Sequence, residues 1–330
     1  MGLYKLRKVN DDKESGILEK VKTDSIDYEK DFENWLENSP VVLLDDDSES
    51  TVLWIGRQVN ARVGDVGKYP DLIGIDSNGD LIIVELKKGK TPREVVAQIL
   101  EYASWGAALT YDDLNEITQG YCSSDKDLCG KSLLEIFRNV FLPESEEGEE
   151  DNIHFNVSQK LYIVAEEISP IVKQVAMHLR NKYKVDIYCM EYEVLKTLQG
   201  EYFISTEKIL GYDEIKNNTV TSKNINVNER WNEPVKIKTV ISNAVSKVTG
   251  GGKDSIFTTG DIYNELIKEY PVIKKNTVGC QIIQDCVNHT SRKHYPSGQR
   301  DLYFRIDKGK FRLYNAVTDG KWDWEGKRVL

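Results

Sequence analysis

Apolar residues recur at helical spacing through residues 27–38, where Phe32, Trp35 and Leu36 form a stripe that stops before Ser39-Pro40. Asp27 or Ser25 is placed to cap that helix. Short strand-like runs follow at 41–44 and 51–55, the second leading into Gly56-Arg57-Gln58-Val59. Runs at 71–76 and 81–86 are joined through Ser77-Asn78-Gly79-Asp80, and Asn-Gly between two such runs is a strong hairpin signal. Thr91-Pro92-Arg93-Glu94 has the order of a capping box with proline in the first turn, predicting a helix through Trp105. Strand, helix and strand patterns at 160–165, 170–182 and 185–191 continue the alternation, so the expected fold class is α/β, with one mixed sheet flanked by helices.

The pattern changes after 213–232, a polar, Asn-rich stretch with little apolar periodicity that reads as a linker. Residues 235–248 are helical in pattern and stop at Gly250-Gly251-Gly252. Thr259 is placed to cap a helix over 260–270, and Asn276 to cap a third over 277–288, with Val278, Ile282, Ile283 and Cys286 as its apolar face. Two strand-like runs, 302–306 and 311–314, flank Asp307-Lys308-Gly309-Lys310. The chain thus divides into a segment 1–24, a domain 25–212, the linker 213–232 and a second domain 233–330.

Charge sharpens that division. Net charge is -10, which by itself argues against a polyanionic partner. Residues 230–330, however, hold 18 Lys and Arg against 11 Asp and Glu, while the remainder holds 26 against 43. A basic module joined to an acidic one suits nucleic acid, since a site that gathers carboxylates around a cation adds negative charge of its own. The acidic run 142–152 reads as a solvated surface loop. No apolar run approaches membrane-spanning length, no signal-peptide pattern opens the chain, and a cytoplasmic protein is expected. Five cysteines without CxxC spacing support neither a disulfide framework nor a zinc ribbon, and the four histidines show no metal spacing.

The chemistry concentrates in residues 71–102. Alternation along a strand sends Glu85 and Lys87 to one face, and the hairpin can bring Asp71 beside Glu85. Two carboxylates around a backbone carbonyl make a hard, oxygen-lined place suited to magnesium. Lys87 is positioned to orient water and offset charge in a transition state. Gln98 and Tyr102, four apart on the following helix, share one face. Alone, Val84-Glu85-Leu86-Lys87 is an ordinary half-exposed strand; its neighbours give it weight.

Pro70-Asp71, Glu85-Leu86-Lys87 and Gln98-x-x-x-Tyr102 together resemble the PD-(D/E)xK nuclease superfamily, in its RecB-like branch with a QxxxY helix. Residues 25–110 are most similar to the catalytic domain of NucS-type endonucleases, through Glu33-x-Trp35-Leu36, Gly56-Arg57-Gln58, Thr91-Pro92-Arg93 and Gln98 to Trp105. The resemblance implies a restriction-endonuclease-like sheet and magnesium-dependent phosphodiester hydrolysis, with manganese able to substitute. It implies Asp71, Glu85 and a first-helix glutamate as metal ligands; Glu33 aligns best, and Glu29 lies one turn earlier. Lys87 becomes the catalytic lysine, Gln98 and Tyr102 supporting residues, and Arg57 either a phosphate contact or half of a surface ion pair. In NucS-type proteins a separate DNA-binding domain precedes the nuclease. Here the second module follows it, so substrate preference is not carried over.

That second module, three helices and a hairpin, resembles a winged helix of the kind attached to restriction-type nucleases. Such a domain is expected to place its third helix in the major groove and its wing on the backbone. Arg292, Lys293, His294 and Arg300 in the loop after the third helix, with Lys308 and Lys310 at the wing tip, are the candidate DNA contacts.

The expectation is a magnesium-dependent DNA endonuclease, in a setting such as restriction of or defence against foreign DNA. Double-strand cutting by it would call for a homodimer. The rival readings are a DNA-binding protein that does not cleave, and a nuclease effector whose winged helix grips a partner protein.

Overall fold

The computed structural model describes residues 4–9, 12–20, 22–23, 29–44, 51–63, 66–142, 153–197, 200–211, 235–295 and 300–329. The linker, the acidic loop beyond Leu142 and the cap candidates Ser25 and Asp27 lie outside them.

The first half opens with β1 (Tyr4–Val9), β2 (Asp12–Lys20), β3 (Lys22–Thr23) and α1 (Glu29–Asn38). Then come β4 (Leu53–Arg57), β5 (Ala61–Val63), β6 (Val66–Lys68), β7 (Leu72–Ile75) and β8 (Leu81–Lys90). Helices α2 (Glu94–Ala107), α3 (Tyr111–Tyr121) and α4 (Leu133–Phe141) lead to β9 (Gln159–Glu167), α5 (Pro170–Tyr183), β10 (Ile187–Lys196) and β11 (Tyr202–Leu210). The main sheet runs β11-β10-β9-β8-β7-β4, with β3 pairing to β10. It is mixed: β8, β9 and β10 are parallel, and the pairs β4–β7, β7–β8 and β10–β11 are antiparallel. An α/β sheet flanked by helices is therefore what this sequence forms.

Side-chain alternation along β8 makes two cores. Ile82, Val84 and Leu86 pack with Phe32 and Leu36 of α1, whereas Leu81 and Ile83 pack with Val95, Ile99 and Tyr102 of α2 and with Phe137 and Phe141 of α4. The β7–β8 turn forms as its Asn-Gly pair predicts. Gly79 sits at φ +86°, and a Cβ there would lie 2.6 Å from the His154 carbonyl oxygen, so only glycine fits. Asp76 Oδ1 accepts from the Asn78 and Asp80 amides at 2.8 and 3.0 Å, and Lys160 pairs with the buried Asp76 at 2.7 Å.

The structure departs from the local readings at several places. Residues 40–43 form a 3-10 turn instead of a strand, with Pro40 setting its first φ and Leu43 buried. Thr91 caps no helix: its hydroxyl accepts from the Ser169 amide at 2.8 Å, tying the end of β8 to the start of α5. Helices α3 and α4 carry capping boxes, Thr110 with Asp113 and Ser132 with Glu135, in a stretch where no element was expected.

The second half contains α6 (Ile237–Thr249), α7 (Thr259–Leu266), α8 (Lys275–Gln284), β12 (Tyr303–Asp307), β13 (Lys310–Leu313), the short α9 (Ala316–Asp319), β14 (Lys321–Trp322) and β15 (Arg328–Val329). The expected order of three helices and a hairpin is present. Phe257 adds a bridge to Phe311 of β13. The cap of α7 is Thr258, not Thr259, because the Thr258 hydroxyl and the Asp261 carboxylate satisfy each other's amides. Asn276 falls inside α8 and caps nothing.

Helix α8 is buried on almost every side. Val278, Ile282 and Cys286 face the core of their own unit, while Cys280, Ile283 and the following Tyr295 belong to the core around α2 and α4. Polar Gln281 and Gln284 are buried with them, so α8 is covered on more than its apolar face. The contact also solves a polar problem, since the last carbonyls of a helix have no partner within it. At the end of α4, Asn139 O accepts from the Ser291 hydroxyl at 2.8 Å and Val140 O from the Tyr295 hydroxyl at 2.9 Å. Phe141 O lies 3.7 Å from Cys280 Sγ. The two halves are thus joined through core, and the helix expected in the major groove lies between them.

Tyr295 is fully buried in that joint. Tyr295→Ala is expected to lower stability by about 3–5 kcal/mol, and Tyr295→Phe, which loses only a hydrogen bond, by about 1 kcal/mol. Urea unfolding followed by tryptophan fluorescence and circular dichroism measures both, and an unaltered midpoint in the alanine variant would mean that the joint does not form.

Candidate active site

Strand pairing builds the site. Leu72 stands opposite Val84 in the β7–β8 ladder, so one step beyond it Asp71 comes opposite Glu85. The Leu86 amide donates to Asp71 Oδ2 at 2.7 Å, and the Asp71 carbonyl accepts from the Gln58 amide at 3.0 Å. Asp71 is therefore held at both its side chain and its backbone.

Glu85 follows Val84 and so leaves β8 on the α2 side. It is 1% exposed, a costly place for a carboxylate without a cation beside it. Lys87, two residues on and on the same face, supplies that cation: its ammonium pairs with Glu85 Oε1 and donates to the Leu86 carbonyl at 2.9 Å. From α2, Gln98 Nε2 donates to the Tyr102 hydroxyl at 2.8 Å, which donates to the Tyr69 carbonyl at 3.0 Å. Burial pushes the Tyr102 phenol up, the Gln98 hydrogen bond pulls it down, and the charges of Glu85, Asp71 and Lys87 also act on it. Asp71, Glu85, Lys87, Gln98 and Tyr102 thus form one constellation.

Glu33 and Arg57 form another. Glu33 is 3% exposed, and its Oε1 accepts from Arg57 Nε at 2.6 Å. The other side of the guanidinium meets Glu37 at 2.8 Å, and the Tyr121 hydroxyl donates to Glu37. The Glu33 hydrogen bond raises the Arg57 pKa above its ordinary value against the opposing effect of burial. α1 packs on the sheet face opposite α2, which explains why Glu33 meets Arg57 and not Glu85. With two carboxylates on one guanidinium, Arg57 is neutralised within the fold. Among the described residues no group of three or more His, Cys, Asp or Glu is arranged to hold a metal ion. Glu37 was reachable from sequence as the residue one turn after Glu33; Tyr121, 84 positions away from it, was not.

The expected DNA contacts of the second half separate into two groups. Arg292 is 2% exposed and pairs with Asp301. Lys293 pairs with Asp127 at 2.9 Å, the His294 carbonyl accepts from Thr51 at 2.8 Å, and Arg300 pairs with the buried Asp285 at 2.6 Å. Arg292 and Arg300 thus pair within the second half, whereas Lys293 and the His294 carbonyl reach the first half. Lys308 and Lys310 remain exposed at the hairpin tip, where Lys310 lies 3.9 Å from Asp307.

A model of a domain of unknown function, DUF7669, matches residues 236–313, which span α6 to β13. No curated protein sequence matches the chain. A repair endonuclease from Pyrococcus abyssi is similar at 17% identity, with a TM-score of 0.25 over 52% of this chain and 50% of that one. EndoMS in its EndoMS-dsDNA2 complex is similar at 12% identity, with a TM-score of 0.23 over 58% of this chain and 65% of that one. This chain therefore spans about half the length of the first structure and under two thirds of the second.

Two outcomes are expected here. Arg57→Met strands the buried Glu33 and should cost about 3 kcal/mol in urea unfolding, whereas a guanidinium standing free for a phosphate would cost almost nothing. Desolvation pushes the His294 ring down to about 4, with Lys293 acting in the same direction. The folded chain prefers the neutral ring and the unfolded chain protonates near 6.5, so stability is intact above that pH and falls as pH drops toward 4. Between pH 7.5 and 5 the loss should be about 1–2 kcal/mol in the unaltered chain and much smaller in His294→Gln; equal losses would place the pH dependence elsewhere.

Proposed function

We propose that this chain is a metal-dependent DNA endonuclease that hydrolyses phosphodiester bonds at Asp71, Glu85 and Lys87. The observation that supports the reading is the meeting of those three residues, from two strands, with the Gln98–Tyr102 pair of the next helix.

The donor set fits magnesium. Two carboxylates and the Leu86 carbonyl are hard oxygens, and the Lys87 ammonium already rests against Glu85 and that carbonyl, so the place accepts a cation. Magnesium is commonly held by one or two carboxylates with substrate phosphate and water completing its shell, so a third carboxylate is not required. Asp71 and Glu85 would hold magnesium or manganese, which when bound supplies polarisation of a phosphoryl oxygen and a more acidic water. Lys87 neutralises charge that develops on the phosphate oxygens. Gln98 and Tyr102 brace each other and the Tyr69 backbone beside Glu85. Glu33 is assigned to Arg57 in this reading and not to the metal.

DNA as substrate rests on the basic second half, where the hairpin tip with Lys308 and Lys310 is the part open to a backbone phosphate. Cutting of both strands would need two copies, each with one site. Restriction or defence is a setting that suits this architecture by analogy. The second reading of the winged-helix-like unit, as a module for protein contact, would have to use surfaces other than α8, which this chain itself buries. That reading leaves the catalytic half unchanged.

Incubation of plasmid and linear DNA with the chain and magnesium or manganese is expected to give metal-dependent cuts that a chelator abolishes. Lys87→Ala and Glu85→Gln should each slow cutting by at least about 100-fold. Undiminished cutting by Lys87→Ala would remove the site assignment, and binding without cutting by the unaltered chain would favour a DNA-binding protein.

A further inference from the structure

We infer that Lys87 has a second role: it is a built-in competitor for the metal position, holding Glu85 and the Leu86 carbonyl until a divalent ion takes them. This rests on the reading of Asp71 and Glu85 as metal ligands.

The two carboxylates are held in different ways. Asp71 Oδ2 accepts from the Leu86 backbone amide at 2.7 Å, a contact made by the main chain. Glu85 Oε1 is held by a side chain instead, the ammonium of Lys87, which also takes the Leu86 carbonyl at 2.9 Å. One ammonium thus occupies two of the oxygens that a hard cation would use. Lysine suits the task, being a compact charge with rotatable donors on a flexible stem. Its side chain is 23% exposed while that of Glu85 is 1% exposed, so the ammonium has a path outward and the carboxylate does not.

Charge gives the direction of exchange. Without a metal, the buried Glu85 needs the ammonium. A dication held by Asp71 and Glu85 would meet that need, and it would repel the ammonium. An ammonium so released would be available to a phosphate oxygen. Metal entry and DNA binding should therefore favour one another, because the phosphate receives the cation that the metal displaces.

Calorimetric titration of the full chain with Mn2+, without DNA, tests the exchange on unaltered protein, Lys87→Met and Glu85→Gln. Lys87→Met should bind Mn2+ about tenfold or more tightly than the unaltered chain, the scale of a charged hydrogen bond that no longer has to be broken. Glu85→Gln should lose most of the binding. Equal or weaker binding by a folded Lys87→Met overturns the inference and leaves the nuclease reading standing. Absence of Mn2+ binding in both the unaltered chain and a folded Lys87→Met overturns the two together. If Lys87→Met does not fold, acetylation of Lys87 by acetic anhydride in the unaltered chain, read by mass spectrometry, decides: a faster rate with Mn2+ supports release, and an unchanged rate overturns it.

Discussion

Everything at the candidate site depends on the register of one hairpin. With Leu72 opposite Val84, Asp71 comes opposite Glu85, and the Leu86 amide can reach the Asp71 carboxylate. A slip of one residue would send Glu85 and Lys87 to the α1 face and Val84 and Leu86 to the α2 face, ruining both cores at once. Burial therefore enforces the register, and the chemistry inherits it. The tight turn at Gly79 and the buried Asp76–Lys160 pair pin the other end of the same hairpin.

The opposite faces of the sheet then separate two sets of charges that look alike in sequence. On the α2 side stand Glu85, Lys87, Gln98 and Tyr102; on the α1 side Glu33 and Glu37 share Arg57. Both sets combine a buried carboxylate with a cation, but they differ in how the cation is held. Arg57 offers a rigid fork to two carboxylates from one helix, which suits a fixed joint. Lys87 lies on its own strand with an exposed way out, which suits a group that moves.

The joint between the halves changes the meaning of the C-terminal unit. Its third helix serves two cores, and the residues just after it satisfy the carbonyls that end α4. A surface committed in this way is not available to a groove of DNA while the joint holds. Arg292 and Arg300 are paired with Asp301 and Asp285 within the unit and Lys293 with Asp127 across the joint, while Lys308 and Lys310 stand exposed at the hairpin tip.

Sequence by itself determined the α/β alternation, the Asn-Gly hairpin, the placing of Glu85 and Lys87 on one face, and the pairing of Gln98 with Tyr102. Each follows from a local rule: strand period, turn chemistry or helix spacing. It also contained the helices α3 and α4, whose capping boxes are plain in Thr110 with Asp113 and Ser132 with Glu135. Tertiary structure alone decided that Thr91 serves Ser169, that Tyr121 reaches Glu37, and that Glu33 spends its charge on Arg57. It decided as well that α8 is a strut, since an amphipathic pattern shows one apolar face and says nothing of a second body that covers the other. These choices come from contacts between residues far apart in the chain, where desolvation leaves each buried polar group to whichever partner the packing brings.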